Sequence, residues 1–187
     1  IFENRFDVIL TNPPFGSRVE KTLKITLADK ETNEEKIAEY EEKYGKEVYR
    51  KAMSQVNDNI GKSILSLYDS GKLSGLTEVL FIERCLRLLK PGGRLGIVLP
   101  EGVLNNPQLQ SVRELFEGMA KIILITSIPQ DVFMASGATV KPSLMFFKKF
   151  TTEEVAQYEQ AKAEAYEQVT DKYAEELAAL TAFIADK

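Results

Sequence analysis

The sequence predicts an α/β fold, and three observations support this prediction. Phe6–Leu10 and Arg94–Leu99 are short, mostly apolar runs, as expected of strands in a sheet that is covered on both faces. Between them, Thr77–Lys90 carries apolar residues on most faces of a helix, so we expect a buried crossover helix. Residues 151–187 contain no Gly or Pro and are rich in Glu, Ala, Lys and Gln, which indicates a long amphipathic helix.

The first strand is expected to end at the stretch Asn12-Pro13-Pro14-Phe15. Proline lacks a backbone N–H and fixes φ, so two consecutive prolines stop the strand. The residue before a proline avoids helical geometry, so Asn12 and Pro13 are both expected to be extended. The sequence therefore predicts a stiff corner at the carboxyl end of a strand, which presents an amide, a backbone carbonyl and an aromatic ring.

Residues 17–75 are predicted to form a helical insertion between the first strand and the crossover helix. Within it, Asn33–Val56 has apolar residues at three- and four-residue spacing, which indicates one charged helix. The remaining predicted elements are a short helix from Ser63 that ends at Gly71, a helix over Pro107–Met119, and strands over Ile122–Thr126 and Ser143–Lys148. We therefore divide the chain into a domain over residues 1–150 and a C-terminal helix over residues 151–187.

Composition favours a single soluble domain with no metal and no membrane segment. Of the 187 residues, 44% are apolar and 28% are charged, and no apolar run approaches the roughly 18 residues of a membrane span. The absence of histidine excludes histidine-based acid/base chemistry and histidine metal ligands. The single cysteine, Cys85, excludes an internal disulfide, suits a reducing cytoplasm and is expected to be a core thiol.

The net charge of −4 is unusual for a chain that binds DNA without a partner. Non-specific affinity for DNA comes from Lys and Arg side chains that neutralise phosphates, and here the acidic residues outnumber the basic ones. Two interpretations stay open: either other parts of an assembly carry the basic surface, or the chain does not touch nucleic acid.

The corner suits methylation of an amino group whose lone pair is delocalised into a ring or a carbonyl. Such a nitrogen is a poor nucleophile. The Asn12 amide oxygen and the Pro13 carbonyl can accept its two N–H bonds and draw it toward tetrahedral geometry, so that the lone pair points at an electrophilic methyl. Acceptors that are fixed before the reaction stabilise charge that develops in the transition state. Phe15 offers a face on which a flat base can stack.

Residues 7–16, Asp-Val-Ile-Leu-Thr-Asn-Pro-Pro-Phe-Gly, resemble the catalytic motif of S-adenosylmethionine-dependent adenine-N6 DNA methyltransferases. The Phe-Gly ending is most similar to the modification subunit of type I restriction–modification systems. Residues 81–100 resemble the next helix and strand of that family. Asp131-Val132-Phe133, followed by Ser136-Gly137-Ala138 and by residues 141–147, resembles the segment that closes the target-base pocket. The resemblance covers roughly residues 5–17 and 76–149.

The resemblance implies the second half of a Rossmann-like methyltransferase sheet, with an antiparallel edge strand. It implies that Asn12 and Pro13 hold the amino group beside the cofactor, while Pro14 enforces the backbone shape. Phe15 is then expected to stack on the target adenine, a base that must be flipped out of duplex DNA to be reached. By the same resemblance, Phe133 packs on the other side of that base, Lys141 belongs to the same pocket, and Phe81 contacts the adenine of S-adenosylmethionine.

The sequence lacks the glycine-rich strand-to-helix turn by which this family mainly binds its cofactor. Gly92-Gly93 follows a helix and precedes a strand, which is the reverse of a dinucleotide-binding motif, so Pro91-Gly92-Gly93 is interpreted as a helix stop. We therefore expect this chain to be the C-terminal catalytic part of a longer enzyme and to be inactive alone.

The resemblance also implies partners: duplex DNA, and the specificity and restriction subunits of a type I complex in the cytoplasm. Phe6–Leu10 is expected to leave an unpaired apolar edge, which invites self-association. Three alternatives stay open at this point. The first is a related enzyme that methylates RNA adenine, and the second is one that methylates a protein glutamine amide. The third is a non-catalytic module that docks through the helix over residues 151–187.

Overall fold

The computed structural model describes residues 3–136 and 140–185, so Gly137 and Ala138 of the proposed pocket segment lie outside the described residues. The chain divides into two compact units, Ile1–Phe150 and Thr151–Lys187. Among the described residues, the first unit holds one sheet of four strands: β1 (Phe6–Thr11), β2 (Leu89–Pro100), β3 (Ala120–Ser127) and β4 (Pro142–Lys149). Its helices are α1 (Glu34–Tyr44), α2 (Lys46–Asn57), α3 (Thr77–Leu88), α4 (Glu101–Asn105) and α5 (Gln110–Glu117).

The spatial order of the strands is β1-β2-β4-β3. β1 runs parallel to β2, whereas β4 is antiparallel to both of its neighbours. The α/β class and the presence of one antiparallel strand are thus confirmed. The last two strands of the chain form one edge of the sheet, as the resemblance implies, and the antiparallel strand β4 lies between β2 and β3. β4 follows β3 in the chain and pairs directly beside it, so β3, which runs parallel to β1 and β2, is the edge strand on that side of the sheet.

One face of the sheet carries the core. Apolar side chains of α3, α4 and α5 pack against alternate residues of β2 and β4, including Leu95, Ile97, Leu99, Met145 and Phe147. The opposite face lacks a helical layer among the described residues: Val8 and Leu10 of β1 and Ile123 and Leu124 of β3 are exposed. The expectation of a sheet covered on both faces is therefore wrong for this chain.

The helix predicted over Asn33–Val56 is a pair of packed helices, α1 and α2. Gly45 separates them with a φ of 89°, a left-handed conformation that residues with a Cβ rarely adopt. The short helix predicted from Ser63 is two 3-10 turns, Ile64–Leu67 and Ser70–Lys72. Likewise, a 3-10 turn at Pro107–Leu109 precedes α5 in place of one helix from Pro107.

The predicted helix stop at Pro91-Gly92-Gly93 is a bulge within β2. Phe6 pairs with Leu89 and Val8 pairs with Arg94, so residues 90–93 bulge out opposite Asp7 alone. Gly92 has a φ of 78°, and a Cβ on Gly93 would lie 3.1 Å from the Asp7 carbonyl oxygen. The bulge needs both glycines, and no helix follows them as a dinucleotide-binding turn would require.

The second unit contains α6 (Thr152–Lys172) and α7 (Ala174–Ala185). Thr151 begins α6 with a capping box, in which its hydroxyl accepts the Glu154 N–H and the Glu154 carboxylate accepts the Thr151 N–H. Tyr173, with φ −113° and ψ 26°, separates the helices. The single helix predicted over residues 151–187 is therefore two segments. Within the described ranges, no helix is long and apolar enough to cross a membrane.

Candidate active site

The corner follows β1 directly and presents its amide to solvent. Asn12 is exposed, Pro13 is buried and Phe15 is half-buried. No hydrogen bond to the Asn12 side chain is found within the described residues. Pro13 anchors the corner in the protein, and the amide beside it is free to accept hydrogen bonds from a ligand. The predicted acceptor is therefore accessible at the place where the strand ends.

Two residues at the start of α3 hold the corner from behind. The Thr77 hydroxyl lies 3.2 Å from the Pro14 carbonyl oxygen and 3.0 Å from that of Ser17, and the Thr77 N–H donates to the same Ser17 oxygen. The buried Glu78 carboxylate accepts the Gly16 N–H at 3.4 Å. Neither residue is predicted from the sequence as part of the site. The available signal was a Thr-Glu pair at the first positions of a helix in which most of the remaining residues are apolar.

Gly16 makes this attachment possible because its φ is 71°. The turn that it forms brings the chain from the corner back toward α3. Beyond the turn, the Val19 N–H donates to the Gly75 carbonyl at 2.8 Å. The segment after the prolines is thus fastened to the residues that precede and begin α3.

A mostly apolar cavity of about 270 Å³ lies beside α3 and includes the predicted cofactor contact Phe81. Phe81 is one helical turn beyond Thr77 and is 39% exposed. The cavity is lined by Val19, Leu23, Ile64, Leu65, Tyr68, Thr77, Leu80, Phe81 and Arg84. Because Thr77 contacts both the corner and this cavity, the two features are neighbours. An exposed aromatic ring in an apolar cavity fits a flat ring ligand.

Lys141 lies at the same end of the sheet as the corner, since it precedes β4 and β4 runs antiparallel to β1 and β2. Its ammonium group is 3.4 Å from the carboxylate of Glu101, the residue that follows β2. The Glu101 N–H also donates to the Lys141 carbonyl. Glu101 is therefore an ion-pair partner of Lys141 that the sequence does not predict.

Phe133 is half-buried in a 3-10 helix, Gln130–Ser136, that follows β3. β2 and β4 lie between β1 and β3, so the strands that precede Asn12 and Phe133 are about 14 Å apart at a spacing of roughly 4.8 Å per strand. The predicted site residues thus share one end of the sheet. Asn12–Phe15 and the Phe81 cavity are direct neighbours, whereas Phe133 enters from the far edge strand.

Cys85 is a core thiol, as predicted, rather than a nucleophile. It is buried in α3 among the side chains that pack on the sheet. Burial raises the pKa of the Cys85 thiol to about 11, so the thiol stays protonated at neutral pH. In the described ranges, no three acidic, Cys or His side chains are placed to hold a metal ion.

Comparison with known proteins gives a family match and several structural likenesses. Residues 1–133 match the family model described as Eco57I restriction-modification methylase. No curated protein sequence matches the chain. A solved structure of a putative class I S-adenosylmethionine-dependent methyltransferase from Listeria monocytogenes is 15% identical, with 81% of this chain and 34% of that chain covered and a TM-score of 0.49.

Two further solved structures are type I modification proteins. The modification subunit of a putative type I restriction enzyme from Vibrio vulnificus YJ016 is 23% identical, with 78% of this chain and 23% of that chain covered and a TM-score of 0.49. The M protein of the type I restriction enzyme EcoKI is 18% identical, with 81% and 22% covered and a TM-score of 0.46. The chain spans between 22% and 34% of the length of these three structures.

Proposed function

Because the chain belongs to the Eco57I restriction-modification methylase family, we propose that it carries the catalytic corner of a DNA adenine-N6 methyltransferase. The observation that carries the proposal is the exposed Asn12 amide at a two-proline corner, which Thr77 and Glu78 fasten to α3. The proposed reaction moves a methyl group from S-adenosylmethionine to the amino nitrogen of adenine. We further propose that the enzyme is the modification subunit of a type I system.

In this mechanism, the Asn12 amide oxygen and the Pro13 carbonyl accept the two N–H bonds of the adenine amino group. The Pro13 carbonyl belongs to backbone that the prolines fix, and the Asn12 amide extends from the same stretch, so both acceptors lie near the nitrogen before positive charge develops on it. The two acceptors would hold the nitrogen so that its lone pair points at the electrophilic methyl group that S-adenosylmethionine would supply. One N–H proton then leaves to water, so the site requires no separate general base.

The flipped adenine is proposed to stack on Phe15, with Phe133 on its other face. The offset of about 14 Å between the strands that precede them means that the Gln130–Ser136 helix must lean across the end of the sheet. Lys141 begins the return strand at the same end and is proposed to contact the base or its phosphate. That contact competes with the ion pair to Glu101, so substrate binding is expected to exchange one partner for the other.

S-adenosylmethionine supplies an electrophilic methyl group on a sulfonium. The Phe81 cavity fits its adenine ring, because an exposed aromatic face lies among apolar side chains. The glycines of the β2 bulge do not supply a phosphate- or carboxylate-binding turn. We propose that this chain alone does not bind the cofactor. Isothermal calorimetry is expected to detect no binding, and saturable micromolar binding would contradict the proposal.

The proposed partners are duplex DNA and the specificity and restriction subunits of a cytoplasmic type I complex. Arg18, Lys21 and Lys24 follow the corner and are exposed, and we propose that they contact the DNA backbone. With a net charge of −4 for the chain, most of the phosphate contacts are proposed to come from other parts of the assembly.

The decisive experiment replaces Asn12 with Ala in the methyltransferase that contains this chain, assembled with its partner subunits. Transfer of a labelled methyl group to duplex DNA is expected to fall by at least about 100-fold, the typical loss on removal of one fixed transition-state contact. Asn57→Ala, an exposed asparagine on α2, is the matched control and should retain activity. Full activity in Asn12→Ala would remove the mechanism, whereas methylation of RNA or protein in place of DNA would change the substrate.

A further inference from the structure

A second cavity, of about 450 Å³, lies in the insertion and shares no residue with the proposed methyltransferase site. It is enclosed by one loop and the α1–α2 pair, and it is lined by Ala28, Asp29, Lys30, Glu31, Tyr40, Tyr44, Tyr49 and Met53. Three of these eight residues are tyrosines, out of seven in the whole chain. Such a concentration of one amphipathic aromatic residue points to a role in ligand recognition.

The rings form a concave cluster because of their positions on the two helices. Tyr40 and Tyr44 are one turn apart on α1, with ring centroids separated by 6.0 Å. Tyr49 comes from α2, and its ring centroid lies 5.8 Å from that of Tyr40. The planes are tilted by 41° and 43°, so neither pair is stacked in parallel, and all three residues line the same cavity.

The cluster already attracts cations of the chain itself. The Arg5 guanidinium carbon lies 5.6 Å from the centroid of the Tyr44 ring, and the Lys43 ammonium nitrogen lies 5.4 Å from it. Arg5 also donates a hydrogen bond to the Tyr44 carbonyl. The Tyr44 ring therefore already contacts one guanidinium group, that of Arg5.

Two fixed carboxylates complete the cavity. Glu31 accepts the N–H groups of Thr32 and Asn33, and the Asn33 hydrogen bond chiefly lowers the pKa of the Glu31 carboxyl. The N–H of Thr26 lowers the pKa of Asp29 in the same way. Both groups are therefore ionised at neutral pH. With Lys30 as the single basic residue of the lining, the lining carries a net charge of −1 (two acids, one base). Lys36, outside the lining, lies 3.9 Å from Glu31, and a bound guanidinium would compete with this solvent-accessible ion pair.

One polar group in the lining lacks its partner. The Tyr49 hydroxyl is buried and makes no hydrogen bond within the described part of the chain, although Tyr49 as a whole is only 4% exposed. A buried hydroxyl without a partner is costly, and a donor brought by a ligand would remove that cost.

We propose that this cavity binds a guanidinium group, presented as an arginine side chain of a partner protein. The planar cation stacks on Tyr40, while its N–H groups donate to the Glu31 carboxylate and to the Tyr49 hydroxyl oxygen. Arginine fits better than lysine, because its flat, weakly hydrated head both stacks and donates in a fork. Phosphate and nucleotide ligands are disfavoured, since the two carboxylates repel them.

The test is a titration of the 187-residue chain with N-acetyl-arginine amide, followed by backbone amide NMR. Saturable shifts of the amide signals are expected for residues of the lining. The affinity for the arginine amide is expected to be at least about tenfold higher than that for the neutral isostere N-acetyl-citrulline amide. Free arginine is expected to bind more weakly, because its own carboxylate faces Asp29 and Glu31. Equal affinity for the citrulline amide, tighter binding of free arginine, or preferential binding of adenosine monophosphate would each overturn the proposal.

Two variants test whether the arginine amide binds in this cavity. Glu31→Gln keeps the size of the side chain and is expected to weaken binding about fivefold by removal of one ion pair. Tyr40→Ala is expected to weaken it by a similar factor, about fivefold, through loss of one ring face. Tyr166→Ala, an exposed tyrosine of α6, is the matched control. If Glu31→Gln, folded by circular dichroism, binds the arginine amide as tightly as the parent chain, the cavity is not the site.

Discussion

Replacement of Thr77 by Val tests whether α3 positions the catalytic corner. Valine has the shape of threonine but lacks its hydroxyl, which lies 3.2 Å from the Pro14 carbonyl oxygen and 3.0 Å from the Ser17 carbonyl oxygen. The Thr77 N–H and the Glu78 carboxylate keep their own bonds to this segment. The substitution therefore loosens the corner at Pro14 without detaching it.

The expected loss of stability is small. One hydroxyl has one proton, which the two carbonyls share with the Glu78 carboxylate at 3.3 Å, so the change removes a single hydrogen bond worth about 0.5–1.5 kcal/mol. Pro14 and Ser17 are exposed, so water replaces the lost donor and the net cost lies at the low end of that range. The rate is more sensitive, because a shift of about 1 Å in a positioned group can cost roughly 100-fold. We expect a fall of about tenfold in kcat, since part of the anchoring remains.

The assay measures methyl transfer to duplex DNA by the assembled enzyme, with kcat and KM determined separately. Thr77→Val is expected to lower kcat and to leave KM for DNA unchanged, since the hydroxyl touches the corner rather than the substrate. Thr77→Ser restores the hydroxyl and should recover most of the rate. Unchanged kcat in the valine variant, or an equal loss in the serine variant, would refute the positioning role.

Three further predictions concern the chain itself. Glu83→Ala is expected to destabilise it by about 3–5 kcal/mol in urea unfolding, because Glu83 is 1% exposed and is paired with Arg87; a loss below about 0.5 kcal/mol would be inconsistent with a buried ion pair. The free energy of unfolding of the parent chain is expected to fall, relative to that of Cys85→Ala, between about pH 9 and pH 11, because the pKa of the thiol is near 9.0 in the unfolded chain and about 11 in the folded one. A difference that does not change with pH would count against a buried thiol. The open edge of β1 is expected to cause self-association, which Leu10→Lys should reduce in light scattering at little cost in stability, since Leu10 is 75% exposed; a monomeric parent chain at high concentration would rule this out.

The sequence predicts the strands well because their signal is local. Phe6–Leu10 and Ile122–Thr126 were expected, and the strands are Phe6–Thr11 and Ala120–Ser127. The helix breaks were missed for a physical reason. Apolar spacing continues across Gly45 and Tyr173, so periodicity gives no sign that the backbone leaves helical geometry there. A single glycine is tolerated inside many helices, and tyrosine is no helix breaker.

The candidate site also contains residues that the sequence predicts and residues that it does not. Asn12 and Phe15 were found because the chemistry of the corner lies within four consecutive residues. Thr77 and Glu78 were missed because their hydrogen bonds reach back about 60 positions in the chain to the corner, and no local pattern encodes such a contact. The insertion cavity was missed because it depends on the turn at Gly45, which places Tyr49 beside Tyr40.

A single helix supports both proposed halves of the methyl-transfer site. Thr77 holds the corner that accepts the amino group, and Phe81, one turn later, lines the cavity that suits the cofactor ring. On its other face, α3 buries Ile82 and Leu86 against the sheet. Phe81 moves with α3, whereas Asn12 is also joined to β1, so a displacement of α3 against the sheet changes the separation between the acceptors and the cofactor contact. Because in-line transfer depends on that separation, the packing of α3 on the sheet is where a distant core substitution would alter the rate without touching either ligand.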